Sequence, residues 1–128
     1  MLKPALIALA LLMSAPAFAK EPEKRGSTAT YIELQTLSAT SIRPNQSRGV
    51  VTVDNGLDVP DPALRAYAVS AQPRLQAAYN QFLSTYMSGL APGAPPNADY
   101  LVSQFQRLTD QVLGKPGARF LVGSIIVN

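Results

Sequence analysis

The chain has no histidine and no cysteine among its 128 residues. Without histidine, the usual general base, the usual nucleophile activator and the commonest metal ligand are missing together. Without cysteine as well, thiol catalysis, structural zinc and Ser-His-Asp chemistry are closed, and the fold has to stand on packing with no disulfide. Charge of either sign is sparse: 11 Lys and Arg face 8 Asp and Glu, a formal net of +3. So weak an excess, scattered along the chain, does not make a nucleic-acid surface. No serine stands in a Gly-x-Ser-x-Gly or Ser-x-x-Lys setting, and no glycine-rich phosphate loop follows a strand.

The carboxylates do not fill the gap. Asp54, Asp58 and Asp61 surround Asn55-Gly56 and invite a calcium-loop reading, but counting from Asp54 puts Gly56 at position three, Val59 at six and Arg65 at twelve. An EF-hand needs an oxygen ligand, a glycine and a glutamate at those places, so the match fails. Asp99 and Asp110 share one expected helix but sit about 16 Å apart along its axis, too far to flank one substrate bond. Catalysis would need the fold to bring Asp58, Asp61 and Lys115 into one cleft. The expectation is a protein that is not an enzyme and that carries no cofactor and no metal.

What is present begins with an address. Lys3 supplies a positive start, Ala5 to Met13 are unbroken apolar residues, and Ala17-Phe18-Ala19 forms a small-x-small box before Lys20. The apolar run is shorter than the roughly 18–20 residues that cross a bilayer as a helix. The reading is a cleavable signal peptide over residues 1–19 and a periplasmic protein; the alternative is an uncleaved leader that anchors the chain in the inner membrane, facing the periplasm. Cleavage before Lys20 removes 19 of the 128 residues and leaves 109, one domain's worth.

Residues 20–30 are charged and rich in Gly, Ser and Thr, as a tether is. The domain proper then runs over 31–128. Tyr31 to Ile42 alternates as a strand whose phase changes between Leu34 and Leu37, which predicts a bulge near Gln35-Thr36. A turn over Arg43–Arg48 leads to a second strand. Asn55-Gly56 is a hairpin signal, yet Val51, Val53, Leu57 and Val59 keep one parity through it, so one long strand from Gly49 to Val59 is preferred. Asp61-Pro62 starts a helix that Pro73 divides in two, with Gly89 ending the second piece.

The segment from Gly89 to Pro96 reads as the main flexible loop. Asn97 caps a further helix with the stripe Leu101, Phe105, Leu108 and Val112, closed by Gly114. Phe120 to Val127, nearly all apolar, predicts a closing strand buried on both faces. The order β-β-α-α-β gives an α/β (α+β) class: a single small domain with helices packed on a small sheet.

Tyr31-Ile32-Glu33-Leu34, the Arg-led strand Arg48 to Val53 with Leu57-Asp58-Val59, the step Pro73-Arg74-Leu75 and the closing strand Phe120 to Val127 resemble, in that order, the periplasmic domain of the FliL-type flagellar basal-body-associated proteins. The resemblance implies a stomatin-like fold and a non-catalytic role supporting the flagellar stator and motility. The partners it implies are stator or basal-body proteins and further copies of the chain. The alternative is a stand-alone periplasmic binding or adaptor module of another envelope complex.

In either case the function falls to surfaces. The strand carrying Val51, Val53, Asp54 and Asp58 is a candidate sheet edge for a partner's strand, or else an edge guarded by its two aspartates. The loop from Leu90 to Pro96 is either an extended docking segment or a mobile connector. No nucleic acid is expected, and the membrane enters only through an uncleaved leader.

Overall fold

The computed structural model describes residues 29–128, so the cleavage box Ala17, Ala19 and Lys20 and most of the expected tether lie outside the described residues. The elements are β1 (Tyr31–Glu33), β2 (Leu37–Ile42), β3 (Arg48–Asp58), α1 (Pro62–Ser70), α2 (Gln72–Ser88), α3 (Ala98–Leu113) and β4 (Arg119–Val127). The four strands form one antiparallel sheet, and the class is α+β.

β3 is the spine of that sheet. Along one side it pairs first with β2, from Ile42 opposite Arg48 to Leu37 opposite Val53, and then with β1, from Glu33 opposite Gly56 to Tyr31 opposite Asp58. Along its other side it pairs with β4 from Val51 to Asp58. β1 and β2 are thus one strand interrupted at Leu34–Thr36, where the phase change predicts a bulge: Ile32 faces inward on an even number, Leu37 on an odd one. Asn55-Gly56 does not turn the chain, because β3 runs through it with Val51, Val53, Leu57 and Val59 all buried on one face. The turn is where Pro44 and Asn45 place it, closed by Arg43 N–H to Ser47 O at 2.9 Å.

Three helices cover the inner face only. Asp61 caps α1 by accepting from the Leu64 N–H at 2.7 Å, and α1 stops at Ala71 because Pro73 cannot continue its hydrogen-bond ladder. α2 then lies over β2, and α3 lies over β4. Asn97 caps α3 through Tyr100 N–H, and Gly114 ends it at φ 81°, a left-handed conformation that costs a residue without a Cβ little.

The core is built around Tyr79, Phe105 and Phe120, one from each of α2, α3 and β4, with ring centroids 4.9–5.4 Å apart. The buried stripe of α3 is Leu101, Phe105, Thr109 and Leu113, rotated by one position from the predicted Leu108 and Val112, which are half-buried. Thr109 takes that place because it serves a buried hydroxyl: its Oγ1 donates to Phe105 O at 2.8 Å, so the Tyr79 O–H beside it donates to Thr109 Oγ1. Burial pushes the Tyr79 hydroxyl up to about 12.

One expectation is corrected by this arrangement. β4 is not buried on both faces, since among the described residues no helix covers the sheet's outer face and Ile126 is 52% exposed. Its apolar run also holds a bulge: Gly123 is the extra residue, because Ser124 pairs with Asp54 and Val122 with Asn55. The bulge shifts the inward parity from Phe120 and Val122 to Ile125. The segment from Leu90 to Pro96 forms no helix or strand, as expected, and touches the sheet at one end. Gly93 N–H donates to Ile42 O at 2.7 Å, and the loop packs on Pro44 at the hairpin end of the sheet.

Candidate functional site

The strand expected to offer a free edge lies inside the sheet. β3 pairs with β4 from Val51 to Asp58 and on its other side with β2 up to Val53 and with β1 from Gly56, so the strand carrying Val51, Val53, Asp54 and Asp58 is the centre of the sheet and not an edge. Val51 and Val53 are fully buried beneath the helices. Asp54 points the other way and ties three segments together on the outer face. Its carboxylate accepts from Thr36 Oγ1 at 2.7 Å and from Ser124 Oγ at 3.1 Å. Asp58 accepts from Thr30 Oγ1 at 2.6 Å. These carboxylates are cross-strand ties, and the sheet's edge is elsewhere.

One edge belongs to β4, which, like β1 and β2 on the opposite side, pairs with β3 alone among the described strands. At its start the outward backbone is already occupied: the Gln106 side chain accepts from Phe120 N–H and donates to Ala118 O, both at 2.8 Å, as a neighbouring strand would. Beyond that point the cover stops. Asn128 N–H donates to Val50 O, and antiparallel alternation therefore aims the N–H groups of Ile125 and Val127 away from β3. This open half of the edge is uncharged, and Ile126 and Val127 are 52% and 46% exposed beside Val50 at 46%.

A cleft of about 420 Å³ opens elsewhere, where the break between β1 and β2 faces the break between α1 and α2. Leu34, Leu37 and Val69 give it apolar walls, and Gln35 and Gln76 join at 2.6 Å through their side-chain amides. Asn55 also lines it, only 4% exposed. The Asn55 amide nitrogen donates to Gln35 O at 3.1 Å and Val53 O at 3.2 Å, which fixes the orientation of the group, since a flipped amide would set its oxygen against two carbonyls. The carbonyl oxygen Oδ1 is left buried with no donor among the described residues. Sequence reasoning treated Asn55 as a turn signal and missed it as a site residue; its odd parity, shared with Val51, Val53 and Leu57, was the available sign that it points inward.

The three groups named for catalysis are not united. Asp61 is spent on the α1 cap, and Lys115 sits exposed in the turn after α3. A shallow depression does bring Asp58 and Asp110 together with Gln106 and Arg119, but neither Asp61 nor Lys115 lines it. Tyr67, another aromatic of the helical region, lies under the Arg74 guanidinium and accepts from it at 2.7 Å. Tyr86 is half-buried and uses its hydroxyl to accept from Asn97 N–H at 2.9 Å. Among the described residues no three His, Cys, Asp or Glu side chains gather closely enough to hold a metal ion, and no helix is long and apolar enough to cross a membrane. No protein-family model matches the chain, and no curated protein does either.

Proposed function

We propose that the chain is a non-catalytic, exported structural protein of the cell envelope that acts by pairing with other proteins. In line with the FliL-type resemblance, it associates with the flagellar basal body and supports stator function and motility from the periplasm. The observation that supports this reading is the half-open edge of β4: Gln106 covers its first residues, while the N–H groups of Ile125 and Val127 face outward on an uncharged, apolar strand. Such an edge is a template for strand addition unless something covers it.

A second copy of the chain fits it. Antiparallel pairing of the two open halves about Ile126 sets Ile125 opposite the other copy's Val127, an uncharged contact that leaves the Gln106 cover of Ala118 and Phe120 in place. Val127→Pro tests this, because it removes an outward donor and leaves the β3–β4 bonds in place. The wild-type chain associates in light scattering and supports swimming, and the variant stays folded, loses association and fails to restore motility to a deletion strain. A wild-type chain that remains monomeric at high concentration, in a strain that swims normally without it, would remove the proposal. A stand-alone periplasmic binding module of another envelope complex is the second reading, and the cleft at Asn55 is the observation that favours it.

A further inference from the structure

The geometry points to the cleft at Asn55 as a binding site for a small neutral molecule that presents an amide N–H donor on a compact apolar body. This inference holds whichever envelope complex the protein serves, because no part of the β4 edge contributes to the cleft.

The ligand class follows from what each wall has left to offer. Asn55 is 96% buried, counted from its 4% exposure, and its amide nitrogen is committed to two carbonyls. Its Oδ1 is therefore a buried acceptor without a donor, carried by a residue that lines the cleft, and a buried acceptor of that kind is costly until a donor reaches it. The Tyr79 hydroxyl does not serve, since it is turned to Thr109 in the core and Tyr79 gives the cleft only apolar surface. At the rim, the Gln76 amide nitrogen is held by Gln35 Oε1, which leaves the Gln35 nitrogen as a donor and the Gln76 oxygen as an acceptor.

The cleft thus offers one buried acceptor and, from the amides of Gln35, Gln72 and Gln76, further donors and acceptors, a pattern an amide satisfies. Its lining contains no Asp, Glu, Lys or Arg, so a charged ligand would be desolvated with no partner for its charge. A carboxylate is doubly disfavoured, because it would bring acceptors to an acceptor. The apolar body rests on Leu34, Leu37 and Val69, and a cleft of about 420 Å³ falls in the size range of small-molecule sites.

Three probes of nearly one shape separate these requirements: isobutyramide, 3-methyl-2-butanone and isobutyrate, which differ only in carrying NH₂, CH₃ or O⁻ on the carbonyl. Each is titrated into the isotope-labelled chain while the backbone and side-chain amide resonances of Gln35, Asn55 and Gln76 are followed by NMR. The amide is expected to give saturable shifts at all three, the ketone to bind about tenfold more weakly for want of the donor, and the carboxylate not to bind. Asn55→Leu should erase the preference of amide over ketone. If that variant does not fold, the shift of the Asn55 side-chain amide in the wild-type chain decides alone. Equal affinity for amide and ketone, or no saturable shift with the amide at any attainable concentration, overturns the inference; in the second case water alone satisfies Oδ1.

Discussion

The hydroxyl pair of Tyr79 and Thr109 makes a quantitative test of the core. Both residues are fully buried, one on α2 and one on α3, and the proton order runs from Tyr79 to Thr109 Oγ1 and from Thr109 to Phe105 O. Tyr79→Phe keeps the ring in its edge-on contacts with Phe105 and Phe120 and leaves Thr109 still donating. It removes one hydrogen bond and strands no donor, so the cost should be about 1 kcal/mol. Thr109→Val is nearly the same shape, but it leaves the Tyr79 hydroxyl buried with nothing to donate to, which should cost about 2 kcal/mol. The double variant removes both polar groups, and Phe105 O keeps its helical backbone partner.

The double variant should accordingly be more stable than Thr109→Val alone, which simple summation does not allow. The coupling between the two positions should be of order 1–2 kcal/mol. Urea unfolding of the four proteins, with equal slopes against denaturant as the check on two-state behaviour, measures it. A double variant that costs the sum of the singles would mean the two hydroxyls do not serve each other, and the burial of Thr109 would need another cause.

The same hydroxyl sets an alkaline limit. The native state holds the Tyr79 proton to about pH 12, while an unperturbed tyrosine releases it near pH 10; the native state therefore binds more protons between those values, and stability falls as pH rises through them. The wild-type chain should lose roughly 2–3 kcal/mol more than Tyr79→Phe over that window, and equal slopes for the two would refute the assignment. Asp61→Ala removes the acceptor for Leu64 N–H and should lower stability by about 1 kcal/mol, read as a shift in the urea midpoint. Gly114→Ala meets open space but must hold φ at 81°, so a loss of about 1 kcal/mol with no change of structure is expected from the same titration. In Gly49→Ala the new Cβ would fall 2.1 Å from the backbone oxygen of Asn128, which should part the end of β4 from β3. Hydrogen exchange of the Asn128 amide, protected in the wild type by Val50 O, should then become fast.

Most of the fold was legible wherever one residue type forces one local outcome. Proline at 73 cannot continue a helix, so the break at Ala71 was readable, and so were the Asp61 and Asn97 caps. Parity did the same for the sheet: a constant odd phase carried β3 through Asn55-Gly56, and a change of phase located the gap between β1 and β2. β4 defeated the same logic. With Phe120 and Val122 inward on even numbers and Ile125 inward on an odd one, a one-residue bulge at Gly123 breaks the alternation, and Leu121 and Ile126 are apolar on the outer face as well. An apolar run alone does not show two covered faces, and the glycine inside this one was the mark of the slipped phase.

The candidate sites were less legible because each arises from two segments that meet only in the folded chain. Gln106 guards the start of β4 from another element, and the guard decides which half of that edge stays open. The Asn55 cleft exists because a strand interruption, where the phase slips at Leu34–Thr36, comes to lie against a helix interruption that Pro73 imposes. Neither break leaves a cavity on its own, since a bulged strand under a continuous helix, or a kinked helix over a continuous strand, can repack against the smooth partner. Set face to face, each removes the side chains the other would pack on, and the opening falls over a buried Asn55 whose donors are spent and whose acceptor is not. Pattern reading placed both breaks correctly and still had no means to align them, because the alignment follows from α2 lying over β2, a tertiary choice made by the Tyr79 side chain reaching Phe105 and Phe120 across the core.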